Sequence, residues 1–180
     1  AMTATARHVE EAVSAALGGG PTKETGAFLS GGTDSSTVLG YMARLTGERV
    51  PAFSIGFHEE RFDELHYADV AARHFNAGHE KHIVTGDEAL AAMPLIVGAY
   101  DEPFGNNSAL GTYLCARLAR EHGVRRLLAG DGGDEIFGGN ERYATDRVFG
   151  AYGHVPRALR RGVIEPAIAV LPGERGILGK

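Results

Sequence analysis

Lysine is scarce, with three residues (Lys23, Lys81 and Lys180) against fifteen arginines in a chain of 180, and the formal net charge is −5. That balance is a poor electrostatic footprint for duplex nucleic acid or an anionic membrane, both of which reward clustered positive charge. An anionic small molecule would have to be held by backbone amides or a metal ion instead. A single cysteine, Cys115, excludes a disulfide framework, a Cys-rich zinc site and a CxxC redox pair, and it fits a reducing cytoplasm. Leu110, Leu114 and Leu118 surround it at helical spacing, so Cys115 reads as a small buried side chain and not as a nucleophile. No apolar run reaches the roughly 18–20 residues needed to span a bilayer. Arg7, Glu10 and Glu11 stand where a signal peptide would be apolar, so secretion is not expected; Ala1-Met2 reads as a cloning remnant.

Glycine, by contrast, is plentiful: 26 residues, about twice the average share of roughly 7%. The clusters at Gly18–Gly20, Gly31–Gly32, Gly130–Gly133 and Gly138–Gly139 have no collagen-like period, so they mark tight turns or close approach to a ligand. The apolar fraction of 43% is enough for a full core, as one domain or part of a larger one.

Periodicity organises the rest. Val9, Ala12, Val13, Ala16 and Leu17 share one helical face, and the GGGP run at 18–21 ends that helix. GAFLS (26–30) reads as a short strand running into SGGTDSS, and a helix is predicted from Ser36 to Gly47. Val50 to Phe57 is the next strand, with Pro51 fitting an edge or a first position. Leu65, Ala68, Ala72 and Phe75 mark a helix, and His79 to Thr85 a third strand. Asp87 is expected to cap a helix running through Leu90, Met93 and Val97. After an irregular DEPFGNNS loop (101–108) come a helix from Ala109 to His122 and the strand VRRLLAG (124–130), leading into DGGDEIFGG. The remainder reads as less regular helix.

Strand and helix alternate four times, which predicts an α/β fold with a doubly wound parallel sheet. Ligands of such sheets bind beyond the carboxyl ends of the strands, where strand order reverses. Both informative glycine loops, 30–36 and 130–139, directly follow strands. If the first and fourth strands are neighbours, the two loops face each other over one crevice.

The first loop has neither GxxxxGK[ST] nor GxGxxG. SGGTDSS instead joins two glycines, which let backbone N–H groups turn toward phosphate oxygens, to hydroxyls that can donate further bonds. Asp34 would repel a bare polyphosphate, so it makes sense in such a site only with Mg²⁺ between them. The simpler alternative is that Asp34 or Ser35 merely caps the helix. In the second loop Asp131, Asp134 and Glu135 place three carboxylates within five residues, where they repel one another unless a cation or hydrogen bonds compensate. A solvated acidic turn is the alternative there. His79 and His82 have no zinc-helix spacing.

The SGGTDSS string resembles the PP-loop of the ATP pyrophosphatase superfamily, whose members cleave ATP between the α- and β-phosphates. The single cysteine disfavours the thiolases of that group, which need a cysteine pair. LLAGDGGDEIFGGNERY (127–143) together with YDEPFGNNSALGTYLCARLA (100–119) resembles the synthetase domain of glutamine-dependent asparagine synthetases, over about Phe28 to Tyr143. The resemblance implies an adenine nucleotide α-hydrolase-like fold, with residues 1–180 forming part of an ATP-binding synthetase domain. The family's glutaminase domain and helical second half are expected to be absent from it. ATP and Mg²⁺ are the implied cofactors. A substrate carboxylate would be adenylated with release of pyrophosphate, then transferred to ammonia or an amine.

Carried over by position, Asp34 and Asp134 match magnesium–pyrophosphate aspartates. The implied nucleotide set is Phe28, Leu29, Ser30, Gly31, Gly32, Asp34, Ser35, Ser36, Ile55, Ala129 and Gly130. Asp131 and Glu135 are the implied catalytic carboxylates, although Asp131 stands where asparagine synthetases often carry glutamate. Asn106 stands where some members have an arginine near pyrophosphate. His79 matches a His-His-Glu run of which Glu80 and Lys81 replace the rest, and it is assigned no role. The competing readings are a β-lactam synthetase-like or other amidotransferase with an amine nucleophile, and a nucleotide-binding module without turnover. A cytoplasmic protein with small-molecule substrates, without nucleic acid or membrane partners, is expected; a homodimer is left open.

Overall fold

The computed structural model describes residues 2–18, 22–57, 65–102, 108–139, 149–150 and 152–166. The chain divides into two units, Ala1–Gly132 and Gly133–Lys180.

In the first unit, α1 (Met2–Leu17) precedes β1 (Thr25–Phe28), α2 (Thr33–Thr46), β2 (Pro51–Phe57), α3 (Leu65–His74), β3 (Gly78–Val84), α4 (Gly86–Ala99), α5 (Ser108–Glu121) and β4 (Arg126–Leu128). The four strands form one parallel sheet in the order β3-β2-β1-β4. The chain steps outward from β1 to β3 and then returns to lay β4 on the other side of β1. Strand order therefore reverses between β1 and β4, which meets the condition under which the two glycine loops share one crevice. Pro51 opens an interior strand, not an edge, where its missing N–H falls at the first ladder position.

Both faces of the sheet are covered. Ala27, Leu29 and Ala52 meet Val13 of α1, Leu39 and Met42 of α2, and Ala68, Ala71 and Ala72 of α3. On the other face Phe53 packs with Cys115, Ala119 and Val124, while Val84 joins Ala92, Ile96, Ala109 and Leu114. The residues buried against β1 and β2 on the first face are mostly alanines, which brings α3 close to the sheet.

Local details depart from the periodic reading. The second helix begins at Thr33, three residues before the expected Ser36, because the extended backbone of Gly32 serves as its N-cap. A glycine- and hydroxyl-rich turn carries no apolar period that could reveal this start. The cap of α4 is Thr85, not Asp87: its hydroxyl accepts from the Glu88 N–H and the Glu88 carboxylate accepts from the Thr85 N–H. Leu90, Met93 and Val97 are 72%, 46% and 69% exposed, and Ala92 and Ile96 hold the inner face. With nearly every position of α4 small or apolar, the pattern does not select a face.

The second unit opens with α6 (Gly133–Phe137), a short helix within the span 130–139 that reads in the sequence as a glycine loop. Farther on, a helical turn at Arg157–Leu159 runs into a wider, π-type turn at Arg160–Ile164. There the Arg160 guanidinium lies 5.3 Å from the Tyr152 ring centre, and the Tyr152 hydroxyl donates to Glu165 Oε1 at 3.0 Å.

Candidate nucleotide-binding site

The first glycine loop leaves the carboxyl end of β1 at the sheet's switch point. Leu29 N–H still donates to the Phe53 carbonyl at 2.9 Å, so the strand guides the chain to the loop's first residue. Gly31 then has φ +86°, and a Cβ on it would collide with the backbone of Tyr67 and Ala68 at the start of α3. Only glycine meets both demands. The loop is braced from within. The two hydroxyl oxygens of Ser30 and Ser35 lie 3.0 Å apart, Ser30 N–H donates to Ser35 Oγ at 3.3 Å, and Gly32 N–H donates to Ser30 Oγ at 3.3 Å.

No side chain caps α2, so neither Asp34 nor Ser35 is there for capping. The N–H groups of Thr33, Asp34 and Ser35 consequently lack intrahelical acceptors, the ordinary condition of a first helical turn and the one that favours anions. Ser36 N–H makes the first helical bond, to Gly32 O at 3.1 Å. Among the described residues no hydrogen bond or ion pair engages the Asp34 carboxylate.

The second loop touches the first through its glycine backbone. A Cβ on Gly130 would stand 2.7 Å from the Asp34 carbonyl carbon, 2.8 Å from Asp34 Cβ and 2.8 Å from Ser35 N. Two loops nearly a hundred residues apart in sequence thus meet at the β1–β4 reversal. Of the other expected nucleotide residues, Phe28 and Ile55 are half-buried against the Phe53 cluster, and Ala129 is exposed beside Gly130. Leu29 is 2% exposed, so its side chain belongs to the core and only its backbone is left for a ligand.

Asp131 is exposed at the end of the first unit. Asp134 and Glu135 lie in the first turn of α6, in the second unit. The Asp134 carbonyl accepts from the N–H groups of Gly138 and Gly139 at 2.8 and 3.2 Å. Asn106 falls outside the described residues.

The donor set suits a hard cation in one respect: Asp34 is an uncommitted carboxylate beside first-turn amides. Among the described residues no three His, Cys, Asp or Glu side chains gather around one point. A cation at Asp34 would therefore complete its shell with phosphate oxygens and water, as Mg²⁺ characteristically does.

Beneath the loop lies a polar chain that sequence patterns did not reveal. The Ser54 hydroxyl, 3% exposed, sits 2.5 Å from the Leu29 carbonyl oxygen and 2.7 Å from His79 Nε2. His79 Nδ1 is 2.9 Å from Asp69 Oδ1, and Lys81 Nζ bridges both Asp69 oxygens at 3.0 and 2.9 Å. The Lys81 hydrogen bond holds the Asp69 carboxyl below its ordinary range. Burial pushes the His79 imidazole down, against the pull of Asp69. Ser54 and Asp69 belong to no local motif, and only the β2–β3 register, Ala52 beside His79, brings them to the ring. At the same edge of the sheet, His82 Nε2 lies 2.9 Å from Glu88 Oε1. The Thr85 backbone hydrogen bond lowers the Glu88 carboxyl. The Thr-x-x-Glu spacing at 85–88 was the available signal for that cap. Cys115 is buried and its thiol is pushed up to about 12 by desolvation, which makes it an inert packing residue.

Comparison with known proteins agrees with this geometry. The asparagine synthase family model matches residues 4–175. Putative asparagine synthetase [glutamine-hydrolyzing] of Mycobacterium bovis is 36% identical over 151 residues, covering 84% of this chain and 23% of the relative. Putative asparagine synthetase [glutamine-hydrolyzing] 2 of Methanocaldococcus jannaschii is 42% identical over 115 residues, covering 63% of this chain and 22% of that one. Asparagine synthetase [glutamine-hydrolyzing] 1 of Bacillus subtilis is 30% identical over 151 residues, 84% of this chain and 24% of the relative. The chain thus spans less than a quarter of the length of these curated relatives. A doubly wound parallel sheet with a braced Gly-Ser loop at its reversal, matched almost end to end by the family model, places this chain in the asparagine synthase family.

Proposed function

We propose that this chain is the ATP-binding portion of a synthetase domain that activates a carboxylate as an acyl-adenylate and releases pyrophosphate. The meeting of the 30–36 loop with Gly130 at the β1–β4 reversal carries this reading. Loop amides and the open first turn of α2 receive phosphate oxygens, and Asp34 would hold Mg²⁺, whose chemistry there would be to offset negative charge on the leaving pyrophosphate. The absence of a Walker lysine fits departure of pyrophosphate instead of the γ-phosphate. Gly130 and Ala129 close the nucleotide side, with Phe28 and Ile55 beneath. By the family resemblance Asp131 and Glu135 are the candidate catalytic carboxylates, and Asp134 is a candidate magnesium ligand.

The names of the relatives suggest aspartate as the activated acid and ammonia drawn from glutamine as the nucleophile. A glutaminase domain would supply that ammonia in the complete protein, working in the cytoplasm. Two measurements test the reading. Calorimetric titration of the chain with ATP, with and without Mg²⁺, should show metal-dependent binding. Nucleotide chromatography after turnover by the complete protein should show AMP and pyrophosphate; ADP and phosphate as main products would refute it.

A further inference from the structure

We propose that Ser54, His79 and Asp69 form a positioning relay that sets the Leu29 carbonyl, the point from which the phosphate loop springs, according to whether His79 carries one proton or two. The inference rests on the nucleotide-binding reading of the 30–36 loop and adds to it the residues that hold the loop's base.

The geometry confines the protons. Ser54 Oγ donates to Leu29 O and lies within hydrogen-bond distance of His79 Nε2, and His79 Nδ1 faces Asp69 Oδ1. A carboxylate only accepts, so the Nδ1 position must carry a proton toward Asp69. In the neutral ring Nε2 is then a bare acceptor that competes with the Leu29 carbonyl for the single Ser54 hydrogen, and turning that hydrogen to Nε2 must lengthen the 2.5 Å contact in which Ser54 Oγ donates to Leu29 O. In the doubly protonated ring Nε2–H donates to Ser54 Oγ, and the Ser54 hydrogen is released to the Leu29 carbonyl. One proton gained at His79 thus redirects one hydrogen bond at the base of the loop. The ionisable groups acting on the ring are Asp69 from α3 and Lys81 and Glu80 from β3 itself. Burial draws His79 below its ordinary 6.5 against the pull of Asp69, so the second proton is gained on the acid side; the Ser54–Leu29 hydrogen bond in the structure is the arrangement of the doubly protonated ring.

Location argues for a role beyond packing. The His79 side chain is 8% exposed and Ser54 3%, and taking an imidazole and a hydroxyl out of water is costly unless each is satisfied. Neighbouring positions on this face of the sheet, Ala27 and Ala52, are filled by alanine. The polar chain ends at the one carbonyl that adjoins the loop.

Nuclear magnetic resonance on the nucleotide-free chain tests the relay without any variant. The His79 ring nitrogens should report the Nδ1–H tautomer at pH 7.5. The Leu29 carbonyl carbon and Ser30 amide signals should move with the same midpoint as the ring on acidification. In Ser54→Ala the ring should still titrate while the Leu29 signal no longer follows it. A neutral Nε2–H tautomer, or Leu29 and Ser30 signals that stay flat while His79 titrates, would overturn the proposal. In calorimetry below the His79 midpoint, where Ser54 donates to Leu29, Ser54→Ala should weaken Mg·ATP binding about three- to tenfold, the range of one net hydrogen bond. Coupled titration in a chain that binds no Mg·ATP would uphold the relay and refute the nucleotide reading. Mg·ATP binding with uncoupled titration would do the reverse.

Discussion

Replacing Gly130 by alanine tests the meeting of the two loops directly. The added Cβ would stand 2.7 Å from the Asp34 carbonyl carbon and 2.8 Å from both Asp34 Cβ and Ser35 N. Ordinary contacts between such atoms are about 3.5–4.0 Å, so the shortfall is about 1 Å. None of the three atoms lies at the end of a flexible side chain, so no rotamer change relieves the clash. Either the end of β4 or the first turn of α2 must back away. Overpacking of this kind costs about 1–3 kcal/mol, and each kcal/mol lowers the melting midpoint by about 2–4 °C in a chain of this size. A misplacement of about 1 Å at a reacting site costs about 100-fold in rate. Mg·ATP affinity should therefore fall along with stability. Gly47→Ala is the matched control. Gly47 has φ +66° and open space around its Cβ position, at the opposite end of α2. Its left-handed backbone makes alanine cost about 1–2 kcal/mol, a comparable loss of stability with no change at the loop. Thermal unfolding and calorimetric titration of both variants decide the matter. Parent-like affinity in Gly130→Ala, or an equal loss in Gly47→Ala, would refute the claim that these loops form one site.

Asp34→Asn should weaken Mg·ATP binding far more than it lowers stability. Asp34 caps nothing, and its only expected structural contribution is a first-turn charge–dipole term of about 0.3–1 kcal/mol; equal affinity in variant and parent would count against the metal role. Stability should fall on acidification. His79 is depressed below 6.5, so it contributes fully above that value and its contribution is lost as pH drops through the folded-state value. Asp69 and Glu88, both depressed, act with the same sign at lower pH, below their ordinary 3.8 and 4.5. Urea unfolding at stepped pH should show the decline beginning below pH 6.5, and His79→Gln should flatten that first portion. With its thiol at about 12, Cys115 should react with a thiol reagent only on unfolding, and rapid labelling of the native chain would contradict its burial.

The sequence by itself determined the order and type of the elements in the first unit. Its apolar residues repeat with the periods of helices and strands, and two of its glycine clusters, Gly31–Gly32 and Gly130–Gly133, come just after strands. That alternation sufficed for a parallel doubly wound sheet, because a right-handed crossover leaves few other topologies open. The Gly-Ser loop was equally legible: Gly31, Gly32, Asp34 and Ser35 are neighbours along the chain, so their association needs no tertiary contact. The Gly130 loop could be read as its partner only on the condition that β1 and β4 pair.

Tertiary structure decided what depends on register and depth. The inner face of α4 was settled by packing against β3 and α5, since Leu90, Met93 and Val97 are as apolar as the residues that ended inside. Leu29 became a core residue whose backbone alone faces the site, a distinction of depth that residue identity does not encode. Ser54, Asp69 and His79 lie on three successive elements and meet only because β2 and β3 pair with Ala52 beside His79. A shift of one residue in that register would turn the imidazole to the opposite face of the sheet. Hydrogen bonds of this kind span distances of ångströms between positions far apart in the chain, so the sequence holds their atoms and the fold alone brings them together.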